Sequence, residues 1–435
     1  MREARHMRLL AEALDRVSPA NNVIHKMYGI YKGSVHLMTN RIYWNLHIII
    51  QFLRLGLRFS TKRKIRFIQL PRDETELLYL NPNKIKYALV GCDTEAKKYL
   101  PIEDGTWDLR TEEFANTDIF TSLKEHFLSG IPLEDTKYYA KALNRKNRGI
   151  STWDCKPADE FAGKSRVIEG LFSKIKAVGK MTQNDLENGD LSNEIEVAVG
   201  RNGNFLLENG SHLLSLAKIS GIDTIPVKVT RRHYRWAKFR KEVFVFSQEA
   251  IKGTYQPLIH PDLQRIRCHR KEDRWELMAN NLPNRHGTVL DIGANLGYFC
   301  HKFEELGFDC YAVERNYKYL YFLKKLRVIE HRKFKTLPQS VFDIKTKKYD
   351  IVLAFSIFHH FLRTKDLYHK MTKFLGELDM KIMFFEPHET GHGFENAYID
   401  YSEIEFVNYV LENSCLNKYK FLGRGERGRS LYLLS

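Results

Sequence analysis

Residues 288–300 constrain the fold of this chain more than any other stretch. Thr288 to Ile292 is a short apolar run typical of a buried strand, and it carries an acid, Asp291, near its end. Gly293 and Gly297 follow in a predicted tight turn, because glycine adopts backbone angles that other residues avoid. The residues after the turn predict a helix. A strand, a glycine turn and a helix in this order predict an open parallel sheet with a ligand at its carboxyl edge.

A second acid stands at the end of the next predicted strand. Phe308 to Val313 is apolar, and Glu314 follows it, 23 residues after Asp291. This is near the spacing at which the second strand of such a sheet presents a carboxylate to ribose hydroxyls. A carboxylate accepts hydrogen bonds from both hydroxyls of a vicinal diol, which explains an acid at this position.

The glycine turn and its two acids resemble the class I S-adenosylmethionine-dependent methyltransferases. That family has an acid followed by Gly-x-Gly-x-Gly, and this chain has Asp291, Gly293, Asn295 and Gly297. Asparagine tolerates a positive φ better than most residues, so the turn is expected to survive the replacement of its middle glycine. The resemblance covers roughly residues 270–435 and implies S-adenosylmethionine as the cofactor, bound by these four residues. A nicotinamide dehydrogenase more often shows Gly-x-Gly-x-x-Gly near its start, which this chain lacks.

Strands and helices alternate through the rest of the C-terminal third. Further strands are predicted over residues 334–337, 349–354, 381–386, 419–422 and 430–434, and helices over 316–330, 364–378 and 402–413. The alternation predicts an α/β fold with a doubly wound, Rossmann-like sheet, mostly parallel, whose closing hairpin adds one antiparallel strand. In this interpretation Glu314, Asp343 after the third strand and Phe355 after the fourth complete the cofactor site.

Two loops at the predicted carboxyl edge are rich in candidate bases. They contain His359, His360, Glu386, His388, Glu389 and His392. An oxygen nucleophile needs a base in methyl transfer, so His359, His388 and Glu386 are the predicted catalytic residues. The alternative for the His-His pair is that it shapes the cofactor pocket. No metal is predicted, because Pro387 and Gly391 disfavour the helix that would bring the last two histidines together.

The last predicted turn, residues 423–429, is rich in arginine. If the sixth strand is parallel to its neighbours, Arg424, Arg427 and Arg429 lie at the same edge as the cofactor. Guanidinium groups suit phosphate and carboxylate, so these residues predict an anionic acceptor. A solvated hairpin without a ligand is the alternative.

A smaller α+β module is predicted over residues 76–245. Two strands and a turn precede Gly210-Ser211-His212, a helix follows, and a strand over 225–230 comes next. This stretch resembles the ParB/sulfiredoxin-like domain over about forty residues. The family arginine is Leu213 here, and sulfiredoxins have cysteine where Ser211 stands. The resemblance therefore implies a binding or scaffolding module without nucleotide hydrolysis or sulfur chemistry.

The predicted organisation has four parts. Residues 1–75 form a basic segment, 246–270 contain glycine and proline and form a linker, and 271–435 form the methyltransferase domain after the ParB-like module. Residues 261–282 are expected to supply a helix leading into the sheet. Two Trp-Asp pairs, at 107–108 and 153–154, suit sugar binding if exposed and simple packing if buried.

The N-terminal segment is basic and contains the most apolar run of the chain. Residues 1–72 hold fourteen Lys and Arg against three Asp and Glu, which is +11 of the net charge of +16. Residues 42–57 are amphipathic as a helix, and are too polar and too short to span a bilayer. With the basic cluster that follows, residues 41–66 predict either an interfacial helix on anionic lipid or a helix packed on the protein itself.

Cysteine usage and charge complete the prediction. The six cysteines form no CxxC pair, which argues against a disulfide framework and for a reducing compartment. The protein is therefore expected in the cytoplasm, with a peripheral contact on the inner face of the membrane if the helix meets lipid. The predicted function is methyl transfer to an anionic, membrane-linked glycan or related acceptor. A nucleic-acid (RNA) methyltransferase is the second choice and a non-catalytic cofactor-binding regulator the third.

Overall fold

A computed structural model describes residues 76–91, 102–147, 158–179, 181, 195–250, 253–270, 272–283, 285–387, 397–425 and 428–435. These residues belong to one compact unit, Pro71–Ser435. The basic N-terminal segment, with its predicted interfacial helix, lies outside the described residues. No helix in the described part of the chain is long and apolar enough to cross a membrane.

The first sheet is built from the middle of the chain. Its strands are β1 (Glu76–Leu80), β2 (Ile85–Leu89), β3 (Ile102–Glu103), β4 (Thr111–Glu113), β5 (Glu196–Val199), β6 (Phe205–Asn209) and β7 (Ile225–His233). Their spatial order is β1-β7-β5-β6-β2-β4, with β3 also paired to β7. The helices of this part are α1 (Asp118–Ser129), α2 (Lys137–Asn147), α3 (Ala158–Val178), α4 (Ser211–Ser220) and α5 (Tyr234–Ala250). The module is therefore α+β with a mixed sheet.

Two local predictions in this module meet different outcomes. Gly210 has φ 86°, a left-handed conformation that suits glycine, and α4 begins directly after it, as predicted. The predicted strand over residues 225–230 instead continues to His233. The next two arginines, both buried, are neutralised there by acidic partners: Arg231 pairs with Glu208 and Arg232 with Asp262. The ParB/sulfiredoxin resemblance itself stays a prediction.

The first Trp-Asp pair has a packing role. The Asp108 carboxylate is buried and accepts from the backbone N–H of Arg201 at 2.8 Å and from its Nη2 at 2.6 Å. The Trp107 ring lies under the Arg231 guanidinium, 4.1 Å from its centroid. The packing alternative therefore describes Asp108, and the second pair lies outside the described residues.

The second sheet is built from the C-terminal third. Its strands are β8 (Thr288–Ile292), β9 (Asp309–Val313), β10 (Lys335–Leu337), β11 (Lys348–Phe355), β12 (Asp379–Glu386), β13 (Tyr419–Arg424) and β14 (Ser430–Leu434). The spatial order is β10-β9-β8-β11-β12-β14-β13. All strands run parallel except β14, which is antiparallel to both of its neighbours. The prediction of a mostly parallel sheet with one antiparallel strand is confirmed.

Helices cover both faces of this sheet. They are α6 (Arg274–Ala279), α7 (Tyr298–Glu305), α8 (Tyr317–Ile329), α9 (Lys365–Glu377) and α10 (Glu403–Glu412). Neighbouring residues of β8 enter opposite cores: Val289 packs with α7 and Leu290 with α9 and α10. This alternation buries the central strand on both sides, as expected of a doubly wound sheet.

The predicted linker, residues 246–270, packs tightly where the structure describes it. Asp262 is buried and accepts from Arg232 Nη2 and from Trp236 Nε1, both at 2.6 Å. Residues 261–282 do supply a helix that leads into the second sheet, but this helix, α6, covers only Arg274–Ala279 of the range. Glu272 has φ 66°, which interrupts a right-handed helix just before α6 begins.

Helix α5 of the middle module packs along α8 of the second sheet. The rings of Phe246 and Phe322 have centroids 4.5 Å apart. The Tyr321 hydroxyl donates to Glu242 Oε2 at 3.1 Å. Helix α8 is the next helix after β9, and Glu314 lies between the two. This contact therefore connects the middle module to the helix that follows Glu314.

Candidate functional site

The glycine turn after β8 is held against the end of β9. The backbone N–H groups of Gly293 and Ala294 donate to the carbonyl of Val313 at 2.9 and 3.0 Å. Asn295 has φ 54°, between two glycines at φ 75° and 85°. The expectation that asparagine accommodates a glycine-like conformation here is therefore confirmed.

Gly293 leaves space that a side chain would fill. A Cβ atom on this residue would lie 3.2 Å from Ile357 Cδ1, closer than ordinary packing allows. Ile357 belongs to the loop that follows β11. The turn after β8 and the loop after β11 therefore face each other at the carboxyl edge of the sheet.

Asp291 is a buried carboxyl group at the end of β8. Its exposed fraction is 3 %, and the Cys300 thiol lies 3.6 Å from Oδ2. Burial raises the pKa of Asp291 to about 7, although the Cys300 thiol and the Arg274 guanidinium oppose the rise. Near neutral pH this carboxyl group is therefore divided between its ionised and protonated forms.

Glu314 connects the glycine turn to the start of α8. Its Oε2 accepts from the backbone N–H of Asn295 at 3.0 Å, and its Oε1 accepts from that of Asn316 at 2.7 Å. Burial raises the pKa of Glu314, while these two N–H groups oppose the rise. The carboxylate is fixed beside the turn and retains lone pairs for further donors.

Glu386, at the end of β12, is the centre of a buried polar cluster. It pairs with Arg270 at 3.0 Å and Arg274 at 3.2 Å, accepts from the Ser356 hydroxyl, and lies 3.4 Å from Arg429 Nη1. Burial alone would raise the pKa of Glu386, but the two buried arginines outweigh it and the net shift is downward. These partners argue against its predicted role as a general base and favour a positioning role.

Arg274 places a cation at the centre of the sheet's carboxyl edge. Its guanidinium lies 4.9 Å from the centroid of Phe355 and 5.1 Å from that of Phe299. It also donates to Glu272 Oε1 at 2.7 Å. Phe355, the last residue of β11 and predicted to contact the cofactor, packs against Phe299 of α7 and has the buried Arg274 guanidinium over its ring.

The remaining predicted residues occupy different places. His359 lies half-buried in the short helix Phe358–Phe361, its ring centroid 4.1 Å from that of His360. Asp343 is exposed, at the end of a single helical turn after β10. Strand β13 is parallel to β12, so its last residue, the exposed Arg424, lies at the cofactor edge of the sheet as predicted. His388 and Arg427 lie outside the described residues.

Sequence reasoning missed Arg270, Glu272 and Arg274. They belong to the run Arg-Lys-Glu-Asp-Arg, a pattern that ordinarily predicts a solvated surface. The three named side chains are all buried, because Glu386 neutralises the arginines across more than a hundred residues. No local signal in the run indicates that distant partner.

The arrangement fits a cofactor that has a ribose and a positive charge. Gly293 leaves room for a close approach, Glu314 offers a carboxylate to hydroxyl donors, and Asp291 offers a buried acid. All three lie at the carboxyl edge of adjacent parallel strands, where open α/β sheets bind ligands.

A comparison with known protein families covers the part of the chain that contains this site. Residues 263–400 match the family model of a methyltransferase domain. The match confirms the predictions of a methyltransferase enzyme and of S-adenosylmethionine as its cofactor. No curated protein matches the chain.

Several solved structures are similar at low identity. The bifunctional kinase-methyltransferase WbdD has 15% identity and a TM-score of 0.37, covering 44% of this chain and 46% of WbdD. TehB from Haemophilus influenzae has 15% identity and a TM-score of 0.29, covering 37% and 61%. The magnesium protoporphyrin IX methyltransferase ChlM from Synechocystis PCC 6803, with bound SAM, has 16% identity and a TM-score of 0.28, covering 37% and 74%. The chain thus spans less than half the length of WbdD, and scores of this size carry no argument about the acceptor.

Proposed function

We propose that this chain transfers a methyl group from S-adenosylmethionine to an anionic acceptor at the carboxyl edge of the second sheet. The observation that carries the proposal is the position of Arg429. Its Nη1 donates to the Ser356 hydroxyl after β11 and lies 3.4 Å from Glu386 at the end of β12. Asp291 lies near the end of β8 and Glu314 directly follows β9, at the same edge of the sheet. The position of Arg429 therefore supports an anionic acceptor at that edge.

The exposure of Arg429 supports an anion. Arg270 and Arg274 pair with the buried acids Glu272 and Glu386, and Arg429 joins this cluster from its rim. The Arg429 side chain is 24% exposed, whereas the other two arginines are buried. Arg429 is thus the arginine of this cluster best able to meet an acceptor, and its planar guanidinium suits phosphate or carboxylate.

Alignment is the main task of the protein in such a reaction. When bound, the cofactor supplies an electrophilic methyl group, which an acceptor lone pair attacks in line as the carbon–sulfur bond breaks. The hydrogen bond from Ser356 to Glu386 holds the carboxyl ends of β11 and β12 together. The loops that face the acceptor therefore begin at fixed positions. For a hydroxyl acceptor the proposed base is His359, three residues after Ser356.

We assign the acceptor to anionic glycans carried on membrane lipid. The support is the sequence of the N-terminal segment, whose basic cluster follows an amphipathic apolar stretch. This assignment implies a cytoplasmic protein that works at the inner face of the membrane. RNA is the second candidate, favoured by the net charge of +16.

A methyl-transfer assay on the intact chain tests the proposal. Radiolabelled S-adenosylmethionine is offered with lipid-linked anionic oligosaccharide or with RNA of equal charge. We expect Arg429→Gln to slow transfer at least about tenfold with unchanged cofactor affinity, because a charge-assisted contact is lost. Arg285→Gln, on an exposed residue just before β8, is the matched control and should behave as wild type.

Each other outcome has a distinct meaning. Transfer to RNA alone, with binding that weakens steeply as salt rises, would favour the nucleic-acid alternative. Cofactor binding without transfer to either acceptor would favour the non-catalytic regulator. Equal transfer by wild type and Arg429→Gln would remove Arg429 from the acceptor site.

A further inference from the structure

A thiol contacts the motif carboxylate from the first turn of α7. Cys300 Sγ lies 3.6 Å from Asp291 Oδ2, and the exposed fractions of the two residues are 0% and 3%. The contact crosses from α7 to the end of β8, beneath the glycine turn. A thiol is a weak donor in water, but a buried contact to a carboxylate gains strength from its low-dielectric surroundings.

We propose that Cys300 is a positioning residue for cofactor binding, whose thiol donates to the Asp291 carboxylate beside the glycine turn and stabilises its ionised form. The proposal rests on the cofactor site within the proposed function and adds a residue that the glycine motif does not include. Cys300 itself lies behind the carboxylate, so it acts on the cofactor through Asp291.

The direction of this hydrogen bond follows from burial. Burial raises the pKa of the Cys300 thiol well above its ordinary value, so the group keeps its proton at neutral pH. The thiol is therefore the donor and the carboxylate the acceptor. The neighbouring buried thiol, Cys310, donates to the Phe308 carbonyl at 3.7 Å and makes no such contact with Asp291.

Several groups act on the ionisation of Asp291. Burial favours the protonated form most, and Glu314 and Glu272 add to it, whereas the Cys300 thiol and Arg274 favour the ionised form. Removing the Cys300 donor therefore moves Asp291 further toward its protonated form. A cationic cofactor binds an ionised carboxylate more tightly than a protonated one, so cofactor affinity should rise with pH around the Asp291 titration.

Titration calorimetry across pH separates this role from simple packing. S-adenosylmethionine is titrated into the intact protein between roughly pH 5.5 and pH 9, across the range in which Asp291 changes charge. The variants are Cys300→Ala, which removes the donor, and Cys300→Ser, which supplies a stronger one. Cys415→Ala is the control, because it removes a thiol that donates to the Met380 carbonyl at the start of β12, away from Asp291, whereas Cys310 contacts Cys300 itself.

We expect opposite displacements of the pH midpoint of binding. Loss of a weak donor to a charged group should move it upward by about half a pH unit in Cys300→Ala, making affinity about twofold weaker near neutral pH and equal to wild type in alkali. Cys300→Ser should move it downward. Cys415→Ala should leave it in place.

Two results would overturn the proposal. One is a single midpoint shared by wild type and both Cys300 variants. The other is a loss of affinity in Cys300→Ala that is the same at every pH, which indicates packing alone. Both differ from failure of the cofactor site itself, in which wild-type protein would bind no S-adenosylmethionine at any pH.

Discussion

Arg270 and Glu386, 116 residues apart in the sequence, form a buried two-point ion pair. Nη1 lies 3.0 Å from Oε2 and Nη2 lies 3.1 Å from Oε1. The pair joins the segment before α6 to the end of β12. Because Ser356 also donates to Glu386, a single carboxylate connects three separate parts of the chain at the carboxyl edge.

Replacing Glu386 should destabilise the fold strongly. Glu386→Gln leaves Arg270 and Arg274 buried with their shared carboxylate gone, and we expect the free energy of unfolding to fall by about 3–5 kcal/mol. Urea denaturation of variant and wild type measures the change. Glu377→Gln, in a partly exposed pair with Lys347, should cost no more than about 1 kcal/mol. Equal losses in the two variants would contradict a special role for the buried cluster.

His301 should make the protein sensitive to acid. It is fully buried, and burial lowers its pKa from 6.5 to about 3. Below pH 6.5 the unfolded chain takes up a proton that the folded protein excludes, so stability falls as pH falls from 6.5 toward 3, by a few kcal/mol at most. Denaturant unfolding at several pH values in this window should show a shallower acid loss for His301→Leu. The same change at exposed His369 should leave the slope as in wild type, and an unchanged slope in His301→Leu would refute the prediction.

Glu314 should matter far more for the cofactor than Asp343. Glu314 is nearly buried beside the glycine turn, whereas Asp343 is exposed on a helical turn. We expect Glu314→Gln to weaken S-adenosylhomocysteine binding at least about tenfold, since hydrogen bonds to a charged group are lost. Asp343→Asn, tested beside it by calorimetry, should weaken binding much less. A comparable loss in Asp343→Asn would instead support the cofactor-binding role predicted for that acid.

Asn295 should accept glycine and reject valine. Its φ of 54° is costly for a β-branched residue and free of strain for glycine. Asn295→Gly should keep the melting temperature and cofactor affinity near wild type. Asn295→Val should lose about 1–3 kcal/mol of stability and bind cofactor more weakly. Indistinguishable behaviour of the two variants would show that backbone conformation does not limit this position.

The sequence predicts best where the determinants are local. The strand Thr288–Ile292, its glycine turn and the following acid lie within a few residues of each other, and periodicity plus turn chemistry identify them. Asn295 is a direct case, because its tolerance of positive φ is a property of the residue itself. The antiparallel β14 was accessible through the family resemblance.

Prediction fails where distant partners decide. Residues 261–282 supply the predicted helix only over Arg274–Ala279, because Asp262 is held by Trp236 and Arg232 while Arg270 is held by Glu386. The two ends of this range are thus held by different modules, and the left-handed conformation of Glu272 separates the first part from α6. From its place at the end of a predicted strand, Glu386 is a candidate general base. Its buried partners Arg270 and Arg274 instead favour a positioning role.

The packing of α5 on α8 bears on how this protein can be divided. A fragment cut at residue 270 would leave Phe322 and Glu330 without Phe246 and Lys84, exposing an aromatic ring and an unpaired acid. Fusing the C-terminal half to an unrelated domain would expose the same two residues, unless that domain supplied an apolar side chain and a cation at these positions. The C-terminal half and the middle module therefore form one structural unit, which should be expressed, recombined and mutated as a whole.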